Sequence, residues 1–482
     1  MASHTDLAEL AREAMRARGL EPEFPPEALA QLARLAPEVD GAGVVDQRAL
    51  PWCSIDNDDS RDLDQLTVAE RLDDGRTRVL VAIADVDALV ARGTPIDDHA
   101  RHNTTSVYTP TRVFPMLPER LSTDLTSLNE AEDRLAVVVA FVVGDDGRPG
   151  DGTVSRALVR NQARLTYDDV AAWLEGTGEA PRALTAAEGL DERLRLQDDA
   201  AGRLRERRRQ DGALDLEGTD ARVVVSDGKV VGLQPDTKNR ARALIEDFMI
   251  AVNGVTARCL EESGLPSIRR VVRSPRRWDR LQALAVEAGE SLPDAPDPRA
   301  LGAFLAGRRK ADPAGYRDLS LAVLKLLGRG EYVLTRATDE GVGHFGLAVD
   351  EYVHSTAPNR RFPDLITQRL LKASVTGSAS PYPDEELDAL ARHCTMQEDA
   401  ADKVERQMRK SAAALLLSTH VGERFDAMVT GASDKGVWVR TFAPIAEGRV
   451  VRGASGLDVG ERVAVTLVAT DVAKGFIDFA RA

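Results

Sequence analysis

Five aspartates crowd into residues 54–65, which read Ser-Ile-Asp-Asn-Asp-Asp-Ser-Arg-Asp-Leu-Asp-Gln. Carboxylates this close repel one another at neutral pH, so the segment must either extend into solvent or hold cations. Oxygen ligands of this kind suit Mg²⁺ or Mn²⁺, which bind through a few carboxylates together with substrate phosphates. The run therefore predicts metal-dependent chemistry, with a solvated acidic turn as the alternative. Its carboxylates are Asp56, Asp58, Asp59, Asp62 and Asp64.

The spacing and the flanking residues of this acidic run argue against a calcium loop and against a solvated turn. A calcium loop of the EF-hand type needs Gly at its sixth position and Glu at its twelfth, and neither is present here. Apolar residues from Leu50 to Ile55 precede the run, and residues 78–86 read as a buried strand that ends near Asp85. A merely solvated loop needs no such flanks.

Two groups of arginines could bind phosphate. Arg360 and Arg361 stand directly before a predicted helix, where guanidinium groups and free backbone N–H groups meet, although either could instead pair with Asp364. The other group closes a long charged helix predicted over residues 184–210 and could follow a phosphate backbone. Ion pairs within that helix explain it equally well. Its members are Arg203, Arg205, Arg207, Arg208 and Arg209.

The whole chain limits the class of protein. Its 482 residues predict two to four domains, and 43% hydrophobic with 29% charged residues is typical of a globular protein. The net charge of −15 does not itself indicate a nucleic-acid partner, because local patches decide binding. No membrane-spanning stretch or secretory signal is apparent, so we expect a cytoplasmic protein. Three dispersed cysteines predict neither a disulfide framework nor a zinc site, and Cys53 is expected to be a buried thiol.

The predicted elements follow a simple order along the chain. Two short amphipathic helices open it and could form a helix-turn-helix or simply pack. Strands and Pro-rich loops follow, including a second hairpin over residues 152–165, and a helix over 239–262 is expected to bury Glu246. Residues 343–349 are predicted as a strand. Short alternating strands with glycine turns after residue 420 predict a small barrel, whose aromatic and basic residues could stack on and attract a single strand, although barrel aromatics are often core. These residues are Phe425, Lys435, Trp438 and Arg440.

Taken together, the motifs resemble the RNase II family of exoribonucleases, with its RNB catalytic domain and a C-terminal S1 barrel. The resemblance implies an α+β fold, with an RNB domain of mixed sheet and helices over residues 46–420 and an S1-like OB-fold domain over 421–482. Residues 1–45 are predicted as a helical unit from their own apolar pattern. The motifs that carry the resemblance are Ser54-Ile-Asp56 through Asp62-Leu-Asp64, Ile83-Ala-Asp85, Ser106-Val-Tyr108, Pro115-Met-Leu-Pro118, Ser127-Leu, Leu244-Ile-Glu246, His344-Phe-Gly-Leu347, and Ser355 through Arg360 with Asp364.

The family implies hydrolysis of single-stranded RNA from its 3′ end with a divalent metal, Mg²⁺ or Mn²⁺, and release of nucleoside 5′-monophosphates. We expect the protein to be a monomer. By position, Asp56, Asp62 and Asp64 look like the metal-binding catalytic carboxylates, with Asp58 and Asp59 in reserve. Arg360 looks like the group that grips the scissile phosphate. Tyr108 looks like an aromatic that stacks on the terminal base, and Tyr167 and Glu246 look like contacts to terminal nucleotides.

The sequence departs from the family pattern at three places. A fourth aspartate is usual directly after the position of Asp64, and here Gln65 stands there, so a second metal should bind more weakly. No β-rich barrels are predicted before residue 46. An aromatic is also expected near residues 212–216, and this chain has Leu216 there. The competing hypothesis is therefore a catalytically weak or inactive relative that binds RNA through its S1 domain.

Overall fold

A six-stranded sheet carries the acidic segment. The computed structural model describes residues 6–37, 43–216, 221–226, 229–235, 238–313, 315–339, 343–433 and 436–482. The strand order is β1-β8-β2-β3-β4-β7, and β7 also pairs with β8, so the sheet curls back onto itself. The strands of this sheet are β1 (Val44–Asp46), β2 (Trp52–Asp56), β3 (Gln65–Arg71), β4 (Thr77–Ala84), β7 (Asp133–Val143) and β8 (Pro149–Thr166); the two-residue β5 (Val107–Tyr108) and β6 (Val113–Phe114) form a separate pair.

The hairpin predicted over residues 152–165 is wrong, because β8 is one strand that runs from Pro149 to Thr166. Its first half pairs antiparallel with β7, and its second half pairs parallel with β2. Both bounds of the predicted hairpin lie within this single strand. The turn between β7 and β8 is at 144–148, where Gly147 has φ +69° and lies against the Arg203 carbonyl, so a side chain would collide there.

Helices cover both faces of the sheet. On one face, Leu66, Leu80 and Val137 pack with Leu365 and Leu390 of two C-terminal helices. On the other, Val81 and Phe141 pack with long helices that include Phe248. Each face therefore buries one alternating set of strand side chains. The helices are α1 (Leu7–Arg16), α2 (Pro26–Leu32), α3 (Pro95–Asn103), α4 (Tyr167–Leu174), α5 (Arg182–Ala186), α6 (Leu190–Asp211), α7 (Arg240–Glu262), α8 (Trp278–Glu287), α9 (Pro298–Ala311), α10 (Tyr316–Leu327), α11 (Phe362–Thr376) and α12 (Asp384–Leu417).

Helix α12 connects most parts of the molecule. Its 34 residues span about 50 Å at the usual rise of an α-helix. Leu387 and Leu390 lie in the core beneath the sheet, Val404 and Met408 pack against α1, and Ala414 and Leu417 reach the C-terminal barrel. The barrel is therefore attached through one continuous helix.

The C-terminal barrel is closed and has five strands in the order β13-β14-β15-β17-β16. The expected α+β class with a small OB-type barrel is confirmed. The strand Arg424–Ser433 opens the barrel, and Phe425 within it is buried against Phe479 with ring centroids 6.3 Å apart. The barrel strands are β13 (Arg424–Ser433), β14 (Gly436–Thr441), β15 (Glu447–Arg452), β16 (Arg462–Asp471) and β17 (Phe476–Arg481); between the sheet and the barrel lie the pairs β9 (Ala221–Ser226) with β10 (Lys229–Pro235) and β11 (Ser267–Val271) with β12 (Glu331–Thr335).

Three smaller expectations differ from the structure. Residues 345–347 form a 3₁₀ turn instead of a strand, with His344 making isolated bridges on either side. The helix predicted over 184–210 is two helices, because Gly189 adopts φ +67° and starts α6 anew. Leu29 of α2 is 49% exposed, although it was expected to face inward. Among the described helices, none has the length and apolar character needed to cross a membrane.

Candidate active site

The acidic segment is a loop held between β2 and β3. Asp56 ends β2, and Asp64 directly precedes β3. The Asp56 Oδ1 atom accepts hydrogen bonds from the Asn57 N–H at 2.7 Å and from the Ser60 hydroxyl at 2.8 Å, which fix the start of the loop. Asp58 and Asp59 are exposed. The two ends of the loop, rather than its tip, are therefore built into the sheet.

Asp64 is the most buried carboxylate of the loop, at 3% exposed. Burial raises its pKa to about 7, the neighbouring Arg360 guanidinium opposes that rise, and Asp62 adds to it. The Arg360 Nε lies 3.6 Å from Asp64 Oδ2, and the Asn359 N–H donates to Asp64 Oδ1 at 3.1 Å. Burial also raises the pKa of Asp62, with Asp56 contributing in the same direction. The three predicted carboxylates therefore interact within one site.

The two adjacent arginines have different environments. Arg361 Nη2 donates to Oδ1 of Asp364, in the first turn of α11, at 2.7 Å. The same carboxylate oxygen accepts hydrogen bonds from the N–H groups of Thr356 and Ala357, which precede the helix. The Arg360 side chain stays 45% exposed beside Asp64. Arg361 therefore forms the ion pair with Asp364, whereas Arg360 faces the carboxylates of the acidic loop, and its binding of phosphate stays a prediction.

Two tyrosines flank the carboxylates. Tyr108 is 40% exposed, and its hydroxyl lies close to Arg360, Asp62 and Asp64. Burial of the hydroxyl raises the Tyr108 pKa to about 12. Tyr167 starts α4 directly after β8. Its pKa is raised above the usual range, mainly by burial and to a smaller extent by the negative charge of Asp56. Both phenols therefore stay protonated and can act as hydrogen-bond donors.

Arg242 is a site residue that the sequence analysis missed. Its Nη2 donates to Asn57 Oδ1 at 2.8 Å, and its guanidinium lies 5.2 Å from the Tyr167 ring centroid. It therefore ties α7 to the acidic loop and to α4. Nothing in the local sequence marks it, because its partner Asn57 is 185 positions away.

Several predicted RNA contacts lie differently from expectation. Glu246 is exposed and pairs with Lys238 at 2.9 Å, because it occupies the outer face of α7; the expectation that it is buried is wrong. Phe425 belongs to the barrel core instead of its surface. Arg440 pairs with Asp318 of α10 at 2.9 Å, which leaves it less open to a phosphate. Trp438 is partly exposed, whereas Lys435 lies outside the described residues.

The arginines that close α6 are engaged in contacts within the protein. Arg205 and Arg208 both pair with the buried Asp247 of α7, and Arg207 pairs with Asp211 at 2.7 Å. Arg209 pairs with Glu206 at 3.2 Å. The structure therefore favours the ion-pair interpretation of this group over the phosphate one.

The carboxylates fit a divalent metal of the kind expected. In the described ranges, no group of three or more His, Cys, Asp or Glu side chains already forms a metal cage. Mg²⁺ does not require one, since it keeps several waters and takes one or two carboxylates with substrate phosphates. A buried Asp64 whose pKa is raised near Asp62 gains from a nearby cation, and the half-exposed Arg360 supplies one positive charge there. The carboxylate oxygens suit Mg²⁺ or Mn²⁺.

Gln65 lies at the first position of β3, paired with Ile83 of β4. Side chains alternate along a strand, so Gln65 shares its face with Thr67 and Ala69.

A separate cleft of about 1160 Å³ lies at the far end of β3 and includes Arg71 and Arg193, but none of the site residues described above.

The fold and the site together define a catalytic domain, built of a mixed sheet and helices around a carboxylate loop, that carries a small closed barrel. Residues 44–377 match the family described as RNB domain, and residues 423–482 match the RNase II-type exonuclease C-terminal S1 domain. The chain therefore belongs to the RNB-domain family.

Relatives and solved structures agree with this membership. The chain is 30% identical over 441 residues to Ribonuclease R 1 of Lactococcus lactis, an alignment that covers 89% of this chain and 53% of that protein. The chain thus spans about half the length of the curated relatives it matches. Its fold is similar to Mycoplasma genitalium RNase R in complex with ribose methylated single-stranded RNA (TM-score 0.86, 23% identity, covering 100% of this chain and 79% of that one). It is also similar to yeast Ssd1, described as a pseudonuclease (TM-score 0.69, 16% identity, 92% and 55%).

Proposed function

We propose that this protein is a 3′-to-5′ exoribonuclease that hydrolyses single-stranded RNA to nucleoside 5′-monophosphates. The observation that carries the proposal is the half-exposed Arg360 guanidinium, 3.6 Å from the buried Asp64 and close to the Tyr108 hydroxyl. A guanidinium in this position can bind the phosphate of a terminal nucleotide, and the partly exposed aromatic ring beside it can stack on the base. The RNB family and the Ribonuclease R relatives support the same activity.

In the proposed reaction, a water oxygen bonds to phosphorus and the bond to the 3′ oxygen of the preceding nucleotide breaks. That oxygen takes a proton and becomes the new 3′ end, while the phosphate stays on the 5′ carbon of the released nucleotide. Arg360 binds the non-bridging oxygens and stabilises the charge that grows on them. Tyr108 stacks on the terminal base, and Tyr167, held by Arg242, bounds the opposite side.

Asp56, Asp62 and Asp64 are the residues that would hold Mg²⁺ or Mn²⁺, with Gln65 as a weaker neighbour. Such an ion, when bound, neutralises phosphate oxygens and activates water. The Asn359 N–H keeps the Asp64 carboxylate oriented in its buried position. Trp438 on the barrel, and Lys435 by the sequence, add contacts to the RNA strand upstream of the site.

The test is incubation of 5′-labelled poly(A) with the protein and Mg²⁺ or Mn²⁺. We expect a ladder that shortens to a few nucleotides, release of adenosine 5′-monophosphate in chromatography, and no shortening with Asp64→Asn. Absence of shortening with either metal would exclude the enzyme and leave the second candidate, an RNA-binding relative without catalysis. Gln65 and the fold shared with a pseudonuclease favour that candidate.

The proposal includes a monomer that acts on RNA in the cytoplasm. Sedimentation of the purified protein and fractionation of cells test these two points separately from the activity.

A further inference from the structure

One buried hydrogen bond joins two segments of the site that are distant in sequence. Thr126 follows a short π-helical turn, Leu121–Leu125, and its hydroxyl contacts Asn359 Oδ1 at 2.6 Å and the Leu121 carbonyl at 2.8 Å. Thr126 is 4% exposed and Asn359 is 1% exposed. Within the described part of the chain, the Asn359 amide nitrogen has no hydrogen-bond partner. The Thr126 hydroxyl has one proton and donates it to Asn359 Oδ1, the nearer of the two oxygens, so this hydrogen bond holds the Asn359 side chain.

The residues after Thr126 hold the acidic loop in the same way. The Ser127 hydroxyl accepts the Leu63 N–H at 3.0 Å and contacts the Arg61 carbonyl at 2.9 Å. The Leu128 N–H donates to the Leu63 carbonyl at 3.0 Å. Leu63 stands between Asp62 and Asp64, so residues 127–128 grip the peptide that carries both carboxylates.

The Asn359 N–H closes this set of contacts into a ring. It donates to Asp64 Oδ1, so the path runs from Asp64 to Asn359, Thr126, Ser127, Leu63 and back to Asp64. Arg360 is the next residue after Asn359 and meets Asp64 on its other oxygen at 3.6 Å. The ring therefore fixes the backbone from which Arg360 extends relative to the carboxylates.

We propose that Thr126, acting through Asn359, is a positioning residue that sets the spacing between Asp64 and Arg360 for phosphate hydrolysis. This inference rests on the proposed exoribonuclease function. A catalytic cation opposite a carboxylate needs an independent anchor, because attraction alone would draw Arg360 toward Asp64 and away from the phosphate. The alternative is that Thr126 only caps the π-helical turn through the Leu121 carbonyl.

The experiment compares Thr126→Val with a matched control in the same turn. The Thr123 hydroxyl donates to the Glu119 carbonyl at 2.9 Å and has no hydrogen bond to the acidic loop or to Asn359. Thr123→Val is therefore the control. We expect Thr126→Val to lower kcat on a short 5′-labelled oligoadenylate by about 10- to 100-fold, the cost of a small misplacement. Thr126→Ser keeps the hydroxyl and should stay close to wild type, as should Thr123→Val. The dissociation constant for the same RNA in EDTA should change by less than about twofold, because Thr126 touches no RNA.

A double-mutant cycle with Arg360→Lys separates positioning from folding. If Thr126 acts through Arg360, adding Thr126→Val to Arg360→Lys should cost less than about twofold in kcat, because the contact it aligns is already impaired. Additive losses, or equal kcat for Thr126→Val and Thr123→Val, would overturn the inference. If Thr126→Val lacks a cooperative melting transition, Asn359→Ala removes the same bond from the other side and decides by the same readouts. If the wild type hydrolyses RNA but the variants do not show the expected kcat changes, the inference alone is overturned. If the wild type does not hydrolyse RNA, both the proposed function and the inference are overturned.

Discussion

At the scale of single residues, the length of the contact between Arg360 and Asp64 matters. Charge-assisted hydrogen bonds are usually about 2.7–2.9 Å long, and Arg361 forms such a bond with Asp364 at 2.7 Å. Arg360 stays 3.6 Å from Asp64 with 45% of its side chain exposed. Its donors are therefore less committed to the protein than those of Arg361, and a substrate phosphate can take them.

Replacing Arg360 tests this directly. We expect Arg360→Gln to lower the single-turnover rate on labelled RNA by about 10²–10³-fold, because a group that stabilises transition-state charge is lost. Arg360→Lys should retain more activity, since the charge remains but the planar fork is lost. Arg209→Gln, on an exposed pair with Glu206, is the control and should change the rate by less than about twofold. A rate for Arg360→Gln close to that of the control contradicts the role.

Gln65 tests how the departure from the family pattern affects the metal. Gln65→Asp restores a negative charge next to Asp64, so we expect the Mg²⁺ concentration at half-maximal activity to fall by about tenfold. Titration of Mn²⁺ binding in the absence of RNA gives a second readout that does not depend on catalysis. Gln65→Glu is the control, because it adds the same charge on a side chain one methylene longer than that of Asp. A metal titration of Gln65→Asp that is unchanged from wild type argues against any role of this position at the metal.

The residue scale also shows what the sequence could and could not supply. Asp56, Asp62, Asp64 and Arg360 were predicted from motifs, and the structure brings them together, while their catalytic roles stay predictions. Arg242, Thr126 and Asn359 were missed, since each acts through partners far away in the chain. Hydrogen bonds of this kind depend on how loops meet after folding, which local pattern does not encode.

At the scale of elements, helix α12 supports the loop that carries Tyr108. The Tyr108 N–H donates to Glu405 Oε1 at 2.8 Å, and burial raises the pKa of Glu405, with this N–H opposing the rise. The position of the Tyr108 ring therefore depends on α12, whose Val404 lies in the same apolar cluster as Val107.

Removing this support should weaken substrate positioning more than chemistry. We expect Glu405→Ala to raise KM for a short oligoadenylate by about fivefold, which corresponds to one hydrogen bond of about 1 kcal/mol. Glu405→Gln retains an acceptor oxygen and should fall between Ala and wild type. Steady-state kinetics with melting temperatures measured alongside provide the check. A Glu405→Ala variant with unchanged KM and lower kcat would assign the bond to another role.

Element boundaries were predictable where periodicity or caps are strong and unreliable where glycines intervene. The side chains of Asp6 and Thr166 cap α1 and α4 by accepting hydrogen bonds from the Ala8 and Asp169 N–H groups. Strand β8 was divided wrongly, because the hairpin was predicted inside one continuous strand. Phe425 was assigned to the barrel surface because alternation shows which residues share a face, but not which face is inside. Arg440 does lie on the outer face of β14, where it pairs with Asp318.

At the scale of the whole molecule, the barrel is held by α12 and by the pair of Arg440 with Asp318 at 2.9 Å. Trp438 lies between the buried Val437 and Val439 on β14, so its ring points away from the barrel core. The barrel can therefore present this aromatic to RNA while staying fixed to the catalytic domain.

We expect Trp438→Ala to weaken binding of single-stranded RNA by about 1–3 kcal/mol, the usual cost of one lost stacking contact. Fluorescence anisotropy at two salt concentrations measures this and should give an unchanged salt slope, because no charge is removed. Val459→Ala, at a residue 60% exposed on the same barrel, is the control and should be neutral. Equal affinities for the two variants would exclude Trp438 from the RNA path.

The reach of α12 also has a consequence for biosynthesis. The apolar face of α1, with Leu7, Ala11 and Met15, packs on Val404 and Met408 of α12. At about 5–20 residues per second, the ribosome adds those partners roughly 20–80 s after α1. During that interval the first helix has an exposed apolar face and no native neighbour from α12. Helix α1 is therefore expected to reach its native packing only after α12 has been synthesised.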